Sequence, residues 1–559
     1  MENSGKAYEQ LECCGFTSRR ALAIAAICAF TLGLVATASA KTTSYPEPFA
    51  ITRSGVVLGS TVNGVDEFLG IPYAKPPVGA LRWRPPKAFG KFTGGTFEAT
   101  EFGSECTQPG PTGSEDCLFL NVYTPTGSEP GSAVEPAGGE TAAATQSSGL
   151  PVMVWIHGGG LTGGGGDLYD PAPLMSQGGV IVVTINYRLG LLGFLAQSAL
   201  DAEGHENGNY GLMDQQFALK WVQKNIKAFG GDPKKVTIFG ESAGGQSIYC
   251  NLASPTAAHL FRGAIAESGS YVEFQSYFDF IVNLATAEAT GTGLAPSGSS
   301  VAISVGCSSQ TAACLRAVSA DTLVGVEPSV LYPFVDGKLL TQTPMAAFTS
   351  GKFNRVPVIA GTNHDEYRYF VAGEYDLAGN PILTDAEYEA AVTALWTSAL
   401  AANVLRLYPY ASYPSGDLAL AASGTDGAFS CPARNADQLL SKFVRTYAYE
   451  FNDENAPPGT VAGVTFPLGA FHGAEVLYLM SVKGDDFPFT ADQQTLSHTM
   501  ISYWTQFAKT LDPNSADQPT WSPYSTSTDE FQSLVPPTPM VESNFDTFHK
   551  CSSFWDTIP

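Results

Sequence analysis

The strongest constraint on the fold is a pair of unbroken apolar runs, Val152 to Ile156 and Val180 to Ile185. A strand with water on one face alternates apolar and polar residues. A strand with no polar alternation has to be covered on both faces, which places these two at the centre of a mostly parallel sheet between helical layers. The segment Phe217 to Phe229 follows. Its Leu219, Trp221, Val222 and Ile226 fall at helical spacing, and it stops at Gly230-Gly231-Asp232-Pro233. Val236 to Phe239 then reads as another strand, and Val356 to Ala360 as a later buried one. This alternation from about residue 115 onwards predicts an α/β architecture with a central twisted sheet covered by helices on both faces. The 559 residues, 44% of them hydrophobic and only 15% charged, supply enough apolar material for one large core.

Two stretches are too small and polar to pack a core, Thr126 to Gly149 and Gly291 to Ser300. Both read as surface excursions. The apolar runs flanking the first belong to one sheet, so residues 41 to 559 form a single catalytic-size domain with an insertion at 126–149, and no internal repeat is present.

The 29 Lys and Arg against 53 Asp and Glu give a net charge of −24. An acidic chain without a basic run cannot neutralise phosphates, which excludes nucleic acid as a partner. Residues 21 to 40 carry no charge and end in Ala38-Ser39-Ala40, a pattern that fits a signal-peptidase cleft. The expectation is a signal peptide over 1–40, cleavage near Ala40, and a secreted enzyme-sized chain with no stable membrane partner. The alternative is retention of 21–40 as a membrane anchor, since twenty residues just span a bilayer.

Cleavage removes Cys13, Cys14 and Cys28 and leaves seven cysteines, which in an oxidising compartment predicts three bridges and one thiol. Sequence order pairs Cys106 with Cys117 and Cys307 with Cys314 as short loops. Cys250 falls on a buried helix, which leaves Cys431 with Cys551 to tie the tail to the body.

Gly240-Glu241-Ser242-Ala243-Gly244 matches G-x-S-x-G, a weak signal alone in a chain with 58 glycines. Context strengthens it. The motif follows a β run and opens a helix over Ala243 to Leu252, the strand, sharp turn and helix that expose a nucleophilic serine. His157-Gly158-Gly159-Gly160 directly follows the strand Val152 to Ile156. Acyl transfer builds negative charge on a carbonyl oxygen, and the N–H groups of Gly159, Gly160 and Ala243 are candidates for the oxyanion hole that stabilises it. The competing readings are a glycine turn capped by serine and a flexible glycine loop.

With these two motifs stand Gly70-Ile71-Pro72-Tyr73-Ala74, Arg82-Trp83, the segment Ser114 to Val122, Asn186-Tyr187-Arg188-Leu189-Gly190, Asn209 to Asp214 and Glu267-Ser268-Gly269. In this order the set resembles the type-B carboxylesterase/lipase family, which includes the cholinesterases, over nearly all of residues 41–559. The resemblance implies an α/β-hydrolase fold, a Ser, Glu, His triad, no cofactor and no metal. By local match to the family's acid loop, Gly361-Thr362-Asn363-His364-Asp365-Glu366 places the carboxylate on Glu366; spacing alone does not separate it from Asp365. Phe471-His472-Gly473-Ala474-Glu475 matches the segment with the family's catalytic histidine, His472. The order Ser, acid, His is that of α/β-hydrolases. Arg82 with Glu115 and Arg188 with Asp214 resemble the family's structural ion pairs.

The implied activity is hydrolysis of a small-molecule carboxylic ester through an acyl-enzyme on Ser242. Within the Cys106 to Cys117 loop, residues 107–116 include no aromatic, so neither the long apolar lid of the family's lipases nor the choline-binding Trp of its cholinesterases is present there. The expectation is an esterase for small or soluble esters, with Leu161 in place of the family's Phe widening the acyl site. The alternatives are a lipase or sterol esterase on long-chain lipid esters, and a catalytically silent binding protein, a class that typically lacks the serine or histidine.

Overall fold

The computed structural model describes residues 46–558 apart from 47, 111, 129–148, 206–207, 271–280, 292–295, 460, 462 and 486. The expected signal peptide and residues 129–148 of the expected insertion lie outside the described residues. An eleven-stranded sheet organises the rest. In chain order its strands are β1 (Ser60–Val62), β2 (Val65–Pro72), β3 (Phe119–Pro125), β4 (Leu150–Ile156), β5 (Ile181–Ile185) and β6 (Gly231–Glu241). They continue with β7 (Gly263–Glu267), β8 (Val358–Asn363), β9 (Thr446–Phe451), β10 (Phe531–Leu534) and β11 (Met540–Glu542). Their spatial order is β11-β10-β9-β8-β7-β6-β4-β5-β3-β2-β1. The run from β10 to β5 is parallel throughout, while β3, β2 and β1 at one edge and β11 at the other are antiparallel.

The apolar runs behave as their composition demands. Successive side chains of a strand point to opposite faces. Val152, Val154 and Ile156 enter one core while Met153 and Trp155 enter the other, and Ile181, Val183 and Ile185 part from Val182 in the same way. Strands β3 and β4, which flank the expected insertion, lie in this one sheet.

Several boundaries differ from the sequence reading. The helix expected over Phe217 to Phe229 begins seven residues earlier, as α1 (Tyr210–Asn225), and closes in a 3-10 turn over Ile226–Phe229. Its first turns hold Gly211, Asp214, Gln215 and Gln216, residues with no apolar period, yet all are buried against neighbouring segments. A Cβ on Gly211 would lie 2.6 Å from the Arg188 carbonyl oxygen, so close packing, not helix propensity, selects glycine there. Strand β8 runs past its apolar residues through Gly361-Thr362-Asn363. Of the expected excursion Gly291 to Ser300, residues 292–295 lie outside the described residues, and a helix starts at Gly298, where a Cβ would meet the Ala196 carbonyl oxygen at 1.7 Å. Small residues mark close contact there.

All three expected disulfides form, Cys106–Cys117, Cys307–Cys314 and Cys431–Cys551, and Cys250 is buried on α2 (Ala243–Ala253) outside them. Both ion pairs form as well. Arg82 Nε meets Glu115 Oε2 at 2.6 Å, and Arg188 holds Asp214 through Nε at 2.7 Å and Nη2 at 2.8 Å. Asp214 is fully buried, and its removal leaves an unpaired buried guanidinium. Asp214→Asn is expected to cost about 3–5 kcal/mol of stability, read as a lower denaturation midpoint with urea. A midpoint within experimental error of the wild type means the pair contributes nothing.

Candidate active site

The turn from β6 into α2 puts Ser242 at φ 58° and ψ −125°, a strained conformation for a residue with a side chain. Glycine is required on both sides by contact. A Cβ on Gly240 or Gly244 would lie 2.5 Å or 2.0 Å from the Ile156 carbonyl oxygen at the end of β4. The elbow is therefore pressed against the strand that leads into the glycine loop. The Ser242 N–H donates to the Glu267 carbonyl at 2.9 Å, which fixes the turn to the end of β7.

The glycine loop is held from behind. Tyr187 stacks on the His157 ring with centroids 4.4 Å apart and donates to the His157 carbonyl at 2.7 Å. Burial pushes the His157 imidazole down to about 4, so it is neutral at ordinary pH and acts as a wall. The Gly159 carbonyl accepts from Thr162 and Gly163, and that of Gly160 accepts from Leu331. Among the described residues, the N–H groups of Gly159, Gly160 and Ala243 donate to no protein acceptor. These three were the sequence candidates for oxyanion donors. Gly159 and Gly160 adopt φ values of 98° and 63°, which glycine reaches without strain.

Three distant side chains meet beside this loop. His472 Nε2 lies 2.8 Å from Ser242 Oγ, and its Nδ1 lies 2.6 Å from Glu366 Oε2. The other oxygen of Glu366 accepts from Thr362 Oγ1 and from the Asn363 N–H, both at 2.7 Å, so the carboxylate cannot swing away. Asp365, the rival by spacing, is committed elsewhere. It accepts from the Ala470 N–H at 3.0 Å and pairs with Arg368 at 2.7 Å. Ser242 and His472 are each 8% exposed and Glu366 is fully buried, a nearly dry setting in which charge interactions are strong.

A set of buried carboxylates around the histidine escaped the sequence reading. Glu241 Oε1 lies 3.3 Å from His472 Nε2. Burial, with Glu366 nearby, raises the Glu241 carboxyl to about 7 against the opposing pull of His472. Glu475 binds Asn363 and accepts from Ser268 Oγ at 3.3 Å, and burial first, then Glu241 and Glu366, raises it well above the usual range. Glu267 accepts from Trp504 Nε1 at 2.8 Å and is pushed up to about 8 by burial. All three stand inside quoted motifs. A charged residue next to a catalytic-type serine or histidine within such a motif was the available signal.

Aromatic rings also surround His472, with Phe370, Phe429 and Tyr369 centroids at 5.0, 5.1 and 6.2 Å. The absence of an aromatic in the Cys106 to Cys117 loop therefore does not leave the site without aromatic surfaces. Leu161 corrects another expectation. It is fully buried in the core with its carbonyl accepting from Gly190, so its replacement of Phe does not open an acyl site. Its positive φ of 61° belongs to this tightly turned loop.

A hydroxyl, an imidazole and a carboxylate in series can pass a proton from the hydroxyl to the imidazole, and free N–H groups nearby can hold an oxyanion. Known proteins share the chain's sequence and its fold. The sequence model of the Carboxylesterase family matches residues 46–551. The chain is similar to the para-nitrobenzyl esterase of Bacillus subtilis (strain 168), 35% identical over 496 residues covering 86% of this chain and 93% of that protein. It is 34% identical to the cocaine esterase of Homo sapiens over 510 residues, 85% of each chain. A solved structure of a PNB esterase, 32% identical, covers 90% of this chain and 99% of its own with a TM-score of 0.72. With the family matched over most of its length on an α/β-hydrolase fold, this chain belongs to the carboxylesterase family and is a carboxylic ester hydrolase.

Proposed function

We propose that the chain is an exported serine esterase of small or soluble esters, in which Ser242 is the nucleophile, His472 the general base and Glu366 the group that orients and charges the imidazole. The observation that carries this reading is the imidazole itself, within hydrogen-bond reach of the hydroxyl on one nitrogen and of the carboxylate on the other. His472 takes the Ser242 proton as the oxygen attacks the ester carbonyl. The N–H groups of Gly159, Gly160 and Ala243 receive the oxyanion. The leaving alcohol takes the proton from the imidazole, and water repeats the cycle on the acyl-enzyme. Export is supported by the three disulfides.

Relatives named for para-nitrobenzyl and cocaine esters, together with the short Cys106 to Cys117 loop, support small-molecule substrates. The test compares para-nitrophenyl butyrate with para-nitrophenyl palmitate, and tributyrin below and above its solubility limit. The expected result is a kcat/KM at least tenfold higher on butyrate and no jump in rate when an interface forms. A rate that rises sharply at the interface, with palmitate preferred, overturns the substrate assignment in favour of a lipase.

The pH dependence follows from the charges around the base. Burial lowers the His472 pKa, but Glu241 and Glu366 outweigh it and hold the imidazole above its ordinary 6.5. Catalysis needs the neutral ring, so activity is present above the folded pKa and lost as pH falls through it. The acid limb of kcat/KM should therefore lie above pH 6.5 and move to lower pH in Glu241→Gln, which removes one of the two carboxylates. A limb that stays in place in that variant shows that Glu241 does not act on His472.

A further inference from the structure

A second cluster of titratable side chains lies outside the proposed proton relay. His364 precedes Glu366 by two residues, Glu450 sits on β9, and His549 comes from the C-terminal tail beside Cys551. Oε1 of Glu450 lies 3.0 Å from His364 Nδ1 and 2.7 Å from His549 Nε2, and the three atoms all fall within 4.8 Å of one another. Glu450 and His549 are buried, and the His364 side chain is 16% exposed. Ester hydrolysis by serine uses none of them.

We propose that His364, Glu450 and His549 form a site for a divalent transition metal such as Zn2+.

Three features of the cluster support a metal over a purely structural hydrogen-bond network. The first is ring geometry. With a metal–nitrogen distance near 2.1 Å, two imidazoles on a tetrahedral ion have centroids about 5.2 Å apart. The His364 and His549 centroids are 5.7 Å apart at an interplanar angle of 67°. The second is orientation by outer partners. His549 Nδ1 lies 2.6 Å from Asp426 Oδ1, whose other oxygen accepts from Tyr408 at 2.6 Å. A carboxylate behind a histidine, presenting the far nitrogen to the ion, is the usual support of a metal ligand. The third is donor chemistry, since two imidazoles with a carboxylate suit Zn2+, Co2+ or Ni2+ and disfavour Ca2+ and Mg2+.

On ligation Glu450 Oε1, now at hydrogen-bond distance from each imidazole, parts from both by about half an ångström to reach the spacing of a tetrahedral shell. His364, at the edge of the cluster, is the most exposed of the three and packs against the Phe548 ring with centroids 4.5 Å apart.

The test uses the full chain after dialysis against a chelator. Co2+ is added under visible spectroscopy, and Zn2+ by calorimetry. The expected result is one ion per chain and the d–d absorption of ligated Co2+. His364→Ala, near the surface, should weaken binding about 100-fold or more, and Asp426→Asn about 10–100-fold, while His498→Ala on an exposed helical position should not change it. Asp426→Asn serves as the independent variant if His364→Ala does not fold. Absence of binding by the wild type, or binding equal in wild type, His364→Ala and Asp426→Asn, overturns the site and leaves the cluster as a proton-bridged link between the acid loop and the tail. The readout is the ion, so it is independent of whether Ser242 is the nucleophile.

Discussion

Ser242→Ala is expected to lower kcat on para-nitrophenyl butyrate by about a millionfold while the protein keeps its fold. The methyl group keeps the Cβ that the elbow already accommodates, and the Ser242 N–H bond to Glu267 is a backbone contact that survives the change. What disappears is the oxygen 2.8 Å from His472 Nε2, and with it the acyl-enzyme. Circular dichroism and the denaturation midpoint should be close to wild type. An organophosphate should label the wild type once per chain and the variant not at all. A variant that turns over within tenfold of the wild type removes Ser242 from the mechanism.

Glu366→Gln tests the carboxylate more subtly, because it is nearly isosteric. Thr362 Oγ1 and the Asn363 N–H both donate to Glu366 Oε1, so a glutamine there must keep its oxygen on that side. Its NH2 then faces His472 Nδ1, at the position now 2.6 Å away. A donor at that point forces Nδ1 to accept and moves the ring proton to Nε2, where it blocks uptake of the serine proton. The wrong tautomer is expected to cost about ten thousandfold in kcat, with KM changed far less. Asp365→Asn provides the contrast. Its partners are Ala470 and Arg368, so it should lower stability and leave the tautomer alone. Equal losses of kcat in the two variants would mean that the acid loop, and not Glu366 in particular, matters.

Much of this molecule is legible without coordinates, and the reason is locality. The apolar runs of β4 and β5 declare burial on both faces by composition alone. The G-x-S-x-G elbow is recognisable because strand, turn and helix are contiguous in the chain. The disulfides Cys106–Cys117 and Cys307–Cys314 close short loops of 11 and 7 residues' separation, and Cys431–Cys551 remains once Cys250 is assigned to a buried helix. The start of α1 was hidden for the opposite reason: its first residues are polar and glycine, and they are buried by contacts with distant segments that no local period records.

The choice between Asp365 and Glu366 shows the same boundary. Adjacent carboxylates look alike in sequence, and only the approach of Ala470 and Arg368 to one and of His472 to the other distinguishes them. The buried carboxylates Glu241, Glu267 and Glu475, the rings of Phe370 and Phe429 against His472, the inward packing of Leu161 and the meeting of His364, Glu450 and His549 are likewise products of tertiary structure. The amino-acid sequence alone determined the α/β layering, the family and the residues proposed to do the chemistry. The tertiary structure decided which of them touch and how each is charged, because proton affinity and hydrogen bonding depend on the water that other, remote segments exclude.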